Sequence, residues 1–368
     1  MISDRVKESL KREFRTSRMA QLGLVLIALM LFVALFAPML APHDPATQRI
    51  GTGDTEDESD IPPISPIPGH DFVDTTTESQ RVDQDDGTIA IEEVEVTVTS
   101  TSEYILGTNT LGQDILSRII YGARVSMLVG ILGAALATLI GVPYGLAAGY
   151  FGGRFDDSLM RGADIMLAFP SLVLAIALVG VFRDSGFHTA EIPDPFVMAV
   201  HSDLVPNVLI PRASHVAEMP AHFTFPVTVT LVVALVNWVW FARIARGEAI
   251  SIRSEEYVKA AKSLGASNVT ILRQHVLPNA LTPIIVLATI QVAFIILLES
   301  SLSFLGFSGT DLTWGADIAD GRGDLRNSWW IATMPGIAIV LAVIGVNLLG
   351  DWLRDALDPG IEGESGGM

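Results

Sequence analysis

Six apolar segments, each roughly the 20 residues that a helix needs to cross a bilayer, dominate this chain. They fall near 19–41, 125–150, 163–182, 225–241, 283–305 and 331–353. Half of the 368 residues are hydrophobic, only 17% are charged, and the mean hydropathy is +0.46. A soluble domain of this length is not so apolar. The class that follows is an all-α membrane protein with six transmembrane helices. A cleaved signal peptide would begin similarly, with the basic stretch "RVKESLKREFRTSR". Its apolar core would be shorter, about 7–15 residues, so the first span is read as uncleaved.

Six spans put both termini on one side, and basic residues say which. If the N-terminus is cytoplasmic, the inside segments 1–18, 151–162, 242–282 and 354–368 hold 15 Lys and Arg. The outside segments 42–124, 183–224 and 306–330 hold only 8, spread over many more residues. The expectation is N-in and C-in. The chain divides into a cytoplasmic tail 1–18, a first span 19–41 and an acidic external segment 42–124, of which about 45–103 is inserted. A core membrane domain follows over 125–353, with five spans, an external loop 183–224 and a cytoplasmic loop 242–282. The tail 354–368 is cytoplasmic.

Net charge is −18, which disfavours a nucleic-acid partner, since phosphate binding rests on Lys and Arg. Residues 42–103 carry 16 acidic and 2 basic side chains. The run lacks calcium-loop spacing and reads as a solvated loop rather than a docking site for a cationic partner. So acidic a surface suits a high-salt habitat, where counterions screen self-repulsion. The alternation in "TIAIEEVEVTVTS" allows a short β-hairpin there. There are no cysteines, so disulfides and thiol chemistry are excluded.

Catalytic patterns are missing. None of the four lysines follows a glycine, so there is no phosphate-cradling G-x-x-x-x-G-K-[ST] loop. Neither H-E-x-x-H nor G-x-S-x-G occurs. His188, His201, His215 and His222 share the second external loop without metal-site spacing. The chain is read as a non-enzyme with no cofactor or metal of its own. Polar groups inside spans are costly and therefore candidates for function. Asn237, Gln291, Glu299 and Asn347 are such groups, lining a substrate path or bonding one helix to another.

One polar segment interrupts the apolar pattern: "EEYVKAAKSLGASNVTILRQHVLPNALTPI", residues 255–284. Tyr257, Ala260, Ala261 and Leu264 fall at i, i+3, i+4 and i+7, one face of a helix. Glu255 and Lys259 are spaced for an i,i+4 ion pair. Gly265 suits the left-handed residue that closes a helix, and Ser267 suits the cap of a second one. Pro278 should limit that second helix, and Pro283 should start the next span. A shallow face with two alanines is a poor membrane wedge and fits a groove on a partner protein.

This segment resembles the EAA loop of ABC importer permeases, E-A-A-x3-G-x9-I-x-L-P. Ala260, Ala261, Gly265, Leu277 and Pro278 match; Lys259 stands for the Glu and His275 for the Ile. "LGTNTLGQDILSRIIYGARVSMLVG" (106–130), "GYFGGRFDDSLMRGADIMLAFPSLVLAIAL" (149–178), "ESSLSFLG" (299–306) and "NLLGDWLRDALDP" (347–359) are similar to the dipeptide/oligopeptide/nickel branch, second permease subunit type. The resemblance implies a type I permease fold and a subunit of an ATP-driven, binding-protein-dependent importer in the plasma membrane. Its implied partners are a second permease subunit, two ATPase subunits using ATP and Mg²⁺, an extracellular substrate-binding protein and the lipid bilayer. Tyr257, Ala260, Ala261, Leu264, Gly265, Ala266, His275, Leu277 and Pro278 are the implied ATPase-coupling residues. Peptides are the leading cargo, with nickel or oligosaccharides as alternatives. A stand-alone secondary transporter is the rival class; it would require paired membrane charges or discontinuous helices.

Overall fold

In a computed structural model the described residues are 14–49, 59–64, 73–83, 89–182, 188–201, 221–323 and 325–357. Helix α1 (Arg18–Leu35) and the short α2 (Ala37–Leu40) open the chain; Ser17 caps α1 by accepting from Ala20 N. An antiparallel hairpin follows, β1 (Val73–Asp83) with β2 (Ile89–Thr99), paired from Val73↔Thr99 to Asp83↔Ile89. The alternation over 88–100 allowed a short hairpin; the strands are in fact 11 residues each.

Helix α3 (Ile115–Phe151) is 37 residues long and begins about ten residues before the expected second span. Asp114 sets that start by accepting from the amides of Leu116 and Ser117, a local cap that hydropathy does not register. Next come α4 (Gly153–Leu167) and α5 (Ser171–Phe182). The expected third span, 163–182, is therefore not one helix: α4 and α5 meet at an 87° bend. Pro170, at the bend, lacks an N–H and pushes Phe169 out of helical backbone. Strand β3 (Ala190–Pro193), α6 (Pro195–His201) and β4 (His222–Phe225) form the next loop, with β3 and β4 antiparallel. This small sheet was not foreseen. His215 lies outside the described residues.

Helix α7 (Val227–Arg253) leads into α8 (Glu256–Ser263) and α9 (Asn268–Ile271). A π-turn, Leu272–Val276, then joins α9 to α10 (Leu277–Phe304). Pro278 was expected to limit the second short helix and Pro283 to start the next span, yet the stretch is helical from Asn268 to Phe304, with Pro283 inside α10. Pro278 sits in the first turn of α10. In an α-helix its ring would meet the carbonyl of residue 274, and the wider π-turn lies there. Helix α11 (Trp314–Gly321) and α12 (Trp329–Leu357) complete the chain. Among the described residues five helices are long and apolar enough to span a membrane: α1, α3, α7, the α9–α10 stretch and α12; the bent α4–α5 pair makes a sixth if counted as one span.

The densest seam joins α3 to α7. Gly141, Gly145 and Gly149 recur every four residues on one face of α3. A methyl group built on them would lie 2.2, 2.0 and 2.4 Å from the carbonyl oxygens of Trp238, Ala242 and Arg246. Only glycine permits so close an approach of two backbones, the usual way of packing helices where lipid removes the hydrophobic drive between them. Around this seam Val239, Phe241, Ala245, Ala249, Val258, Ile271 and Val276 form one buried cluster. It reaches the end of the bundle that carries α8 and α9, the near end. The far end holds α2, α6, α11 and the start of α3.

Candidate functional site

Helix α8 buries Val258 against the bundle. Val258 is 3% exposed and packs into the buried cluster with Ile252, Ile271, Val276 and Ala280. Its neighbours face outward: Tyr257 and Ala260 are exposed, Ala261 is half-buried, and Leu264 is 88% exposed. The face expected from the i, i+3, i+4, i+7 spacing is thus open. The Glu255–Lys259 pair does not form. Glu255 is the extended residue before α8, at φ −69° and ψ 145°, so it lies off the helical face. Lys259 Nζ instead meets Glu256 Oε1 at 3.0 Å.

Helix α8 ends as Gly265 predicts. Gly265 has φ +87°; its amide donates to Lys262 O, and the Ala266 amide donates back to Ala261 O, both at 3.1 Å. These are the two bonds of a left-handed helix closure. Ser267 then caps α9, its hydroxyl accepting from the Thr270 amide at 3.2 Å. The two short helices are therefore set at a fixed turn with few free backbone groups.

The remaining expected residues of the segment divide. Ala266 and Leu277 pack against the buried cluster, whereas Pro278 and Gly265 are exposed. The His275 ring lies 6.0 Å from that of Tyr257, centroid to centroid. Asn279 Nδ2 bridges them, donating to His275 O at 2.6 Å and to Tyr257 Oη at 3.3 Å. Tyr150 Oη, at the end of α3, meets Asn268 Oδ1 at 3.0 Å.

Residues 141–363 match the family described as the binding-protein-dependent transport system inner membrane component. The chain belongs to this permease family. Residues 9–63 also match the N-terminal transmembrane domain of oligopeptide transport permease C. The permease is 37% identical over 260 residues to the dipeptide transport system permease protein of Alkalihalophilus pseudofirmus, covering 70% of this chain and 72% of that one. It is 30% identical over 339 residues to the di/tripeptide transport system permease protein of Pseudomonas aeruginosa, covering 92% and 86%. A solved methionine ABC transporter in an inward-facing conformation aligns with TM-score 0.46 and 16% identity, over 66% of this chain and 98% of that one. The permease is thus an inner-membrane subunit of an ABC importer of the peptide family. It is not an enzyme; ATP hydrolysis belongs to its partners.

The four polar groups expected within the permease spans do not share one setting. Glu299 is fully buried; it accepts from Ser303 Oγ at 2.7 Å and from Ser300 Oγ at 3.4 Å. Asn237 is buried and donates to Val233 O at 2.7 Å, one turn back on its own helix. Gln291 is also buried, and its Oε1 has no partner among the described residues. Asn347 is exposed on α12. A cavity of about 390 Å³ opens at the far end, lined by His188, Ser303, residues 304–311, Asp320 and Arg322. None of the four lines it, although Ser303 links its wall to Glu299.

Sequence reasoning missed the ion pairs that shape the permease. At the far end Arg118 Nε donates to Asp317 Oδ1 at 2.6 Å, both side chains 5% exposed. Arg118 also donates to Gln113 Oε1 at 2.8 Å and to Asp311 O at 2.9 Å. Burial pushes the Asp317 carboxyl up to about 6, the charge of Arg118 opposing but not cancelling the effect. Arg124 pairs with Asp194, also buried, and Asp194 in turn accepts from the Phe196 and Val197 amides that open α6. The expected span began at 125, which placed both arginines in a loop. The one available signal was the "QD" before "ILSR", since Asp114 is a helix cap.

Proposed function

We propose that this permease passes di- or oligopeptides across the plasma membrane and receives its mechanical input at residues 255–278. The named dipeptide and di/tripeptide relatives support the cargo. The distribution of 15 basic residues inside against 8 outside supports cytoplasmic N- and C-termini. The near end then faces the cytoplasm and the far end the outside. The acidic segment 42–124 and the loop 183–224 are external, and 242–282 is cytoplasmic. The working complex pairs this chain with a second permease subunit, two ATPases consuming ATP with Mg²⁺, and an external binding protein that delivers the peptide.

The observation that carries the coupling reading is the open small-residue face of α8, rigidly mounted. Ala260 and Ala261 leave room for a partner surface, Leu264 projects into it, and Val258 fastens the helix from behind. A helix so mounted fits a groove and transmits displacement instead of absorbing it. Closure of the ATPase dimer pushes on α8 and shifts the bundle between two packings. Tyr257, His275 and Asn279 hold the base of the α8–α9 unit against α10. Asn237, Gln291 and Glu299 are the buried polar groups of the pathway under this reading.

Gly265→Pro and Ala261→Asp test it in the assembled transporter. Both variants insert, while ATP-dependent uptake and co-purification of the ATPase are lost. Normal uptake together with normal co-purification in both variants sinks the coupling role.

A further inference from the structure

Two ion pairs lash α4 to α7 at the near end. Arg246 Nε and Nη2 donate to Asp156 Oδ1 and Oδ2 at 2.6 and 2.7 Å, a bidentate fork. Asp156 is 7% exposed although it sits in the first turn of α4. One turn before Arg246 on α7, Arg243 Nη2 donates to Asp164 Oδ1 at 2.8 Å. That second pair is solvent-exposed and adds little. The first has the paired geometry that fixes orientation as well as distance.

The fork lies against the glycine seam. Gly149 packs on the carbonyl of Arg246 itself, and Arg253 Nη1 donates back to Gly149 O at 2.8 Å. Tyr144 Oη donates to Leu159 O at 2.6 Å, tying α3 to α4 from the other side. The ends of α3, α4 and α7 are thus joined at one place. From there α7 runs to Arg253, and Ser254 with the extended Glu255 leads into α8. The other arm, from α9 into α10, contains a π-turn and two prolines. Among the described residues no ion pair lies on that arm. The α7 arm is tied to α3 and α4 by these bonds, and the α9–α10 arm is one helical stretch with a π-turn in it.

We propose that Asp156 and Arg246 are positioning residues for transport, which carry a displacement of α8 into α4. Because α4 meets α5 at 87°, a pull on Asp156 turns α4 like a crank and swings the broken third span. This inference rests on the coupling reading of α8. It adds to it that the motion enters the bundle sideways, through the α4–α5 corner, besides running along α7 and α10.

The chain has no cysteine, so spin labels can be placed on introduced ones in this subunit before it is assembled with its partners. The pair Ser263→Cys with Asp351→Cys follows α8 against α12. The pair Ser158→Cys with Asp351→Cys follows α4 against the same reference. On trapping the ATPases with ATP and vanadate, both distances are expected to shift. In Asp156→Arg the α8 shift remains and the α4 shift is lost; in the exchange Asp156→Arg with Arg246→Asp both return. An unmoved α8 label overturns the coupling reading and this proposal together. A moving α8 with an unmoved α4 in the parent chain overturns the proposal alone, as does an α4 shift that survives Asp156→Arg. Failure of the exchange to restore the shift assigns the loss to misfolding and removes the pair as the agent. Arg246→Lys keeps the charge and breaks the fork, and it is expected to weaken the α4 shift without abolishing co-purification.

Discussion

The two ends of the bundle differ in how far their ion pairs are sealed: among the described residues, pairs with both partners buried occur at the far end, beside the more open Arg118–Asp320 pair. At the far end Arg118–Asp317 and Arg124–Asp194 are sealed from water, with every side chain at most 7% exposed. At the near end the pairs are partly or wholly open, up to 91% exposed at Glu256. A sealed pair is a weak source of net stability, but removing one partner strands a charge. An open pair is screened and gives way easily. The far end is therefore built to hold one arrangement of α3, α6 and α11. The near end is built to hold orientation while remaining able to move.

The contrast breaks most sharply at Arg118. Arg118→Met leaves Asp317 buried without its cation and is expected to cost about 3–5 kcal/mol, read as a lower unfolding temperature of the purified complex. A loss under about 1 kcal/mol, the level of an exposed pair, would erase the distinction between the ends. A smaller effect is expected from pH. The Asp317 carboxyl is raised from 3.8 to about 6 in the fold by burial. Its contribution to stability is thus complete below pH 4 and is lost as pH rises through 6. The far end is expected to be more stable at pH 5 than at pH 7.5, and the share of that difference due to Asp317 should vanish in Asp317→Asn. An unchanged difference in that variant would show that another group is responsible.

The smallest expected effect sharpens the near end. Ser267→Ala removes the cap of α9 and should cost about 1 kcal/mol locally. Hydrogen exchange at the first amides of α9, 268–271, should speed up while the amides of α3 stay protected. Equal acceleration at both places would mean that the near end does not open independently.

What could be read from the residues alone follows the range of each interaction. Gly265 and Ser267 announce a turn between two helices because the bonds they make span three to five residues. Five of the six apolar segments fall on helices long and apolar enough to span, and the third falls on the bent α4–α5 pair, since apolarity is a property of each segment. Pro278 misled, because a π-turn upstream lets the helix pass it, and no local rule signals that turn. The bend at Pro170 shows the reverse outcome for the same residue type. Arg118 and Asp317 lie 199 residues apart, so neither could be paired from its neighbours. Gly141, Gly145 and Gly149 show a four-residue repeat, but only the carbonyls of α7 say why. The open face of α8 was legible; Val258, which fastens it, was not, because one buried valine among exposed neighbours leaves no periodic trace.

The π-turn has a consequence for how this chain tolerates insertion and deletion. A turn closed by the Leu277 amide on Leu272 O holds one residue more than an α-turn would. Losing one residue from 272–276 would close the stretch as plain α-helix, and the ring of Pro278 would then meet the carbonyl four residues before it. The helices on either side would keep nearly the same phase, because the wide turn takes the place of an ordinary one. The spare residue thus lets a proline stand at the entry of α10 without turning α9 away from it.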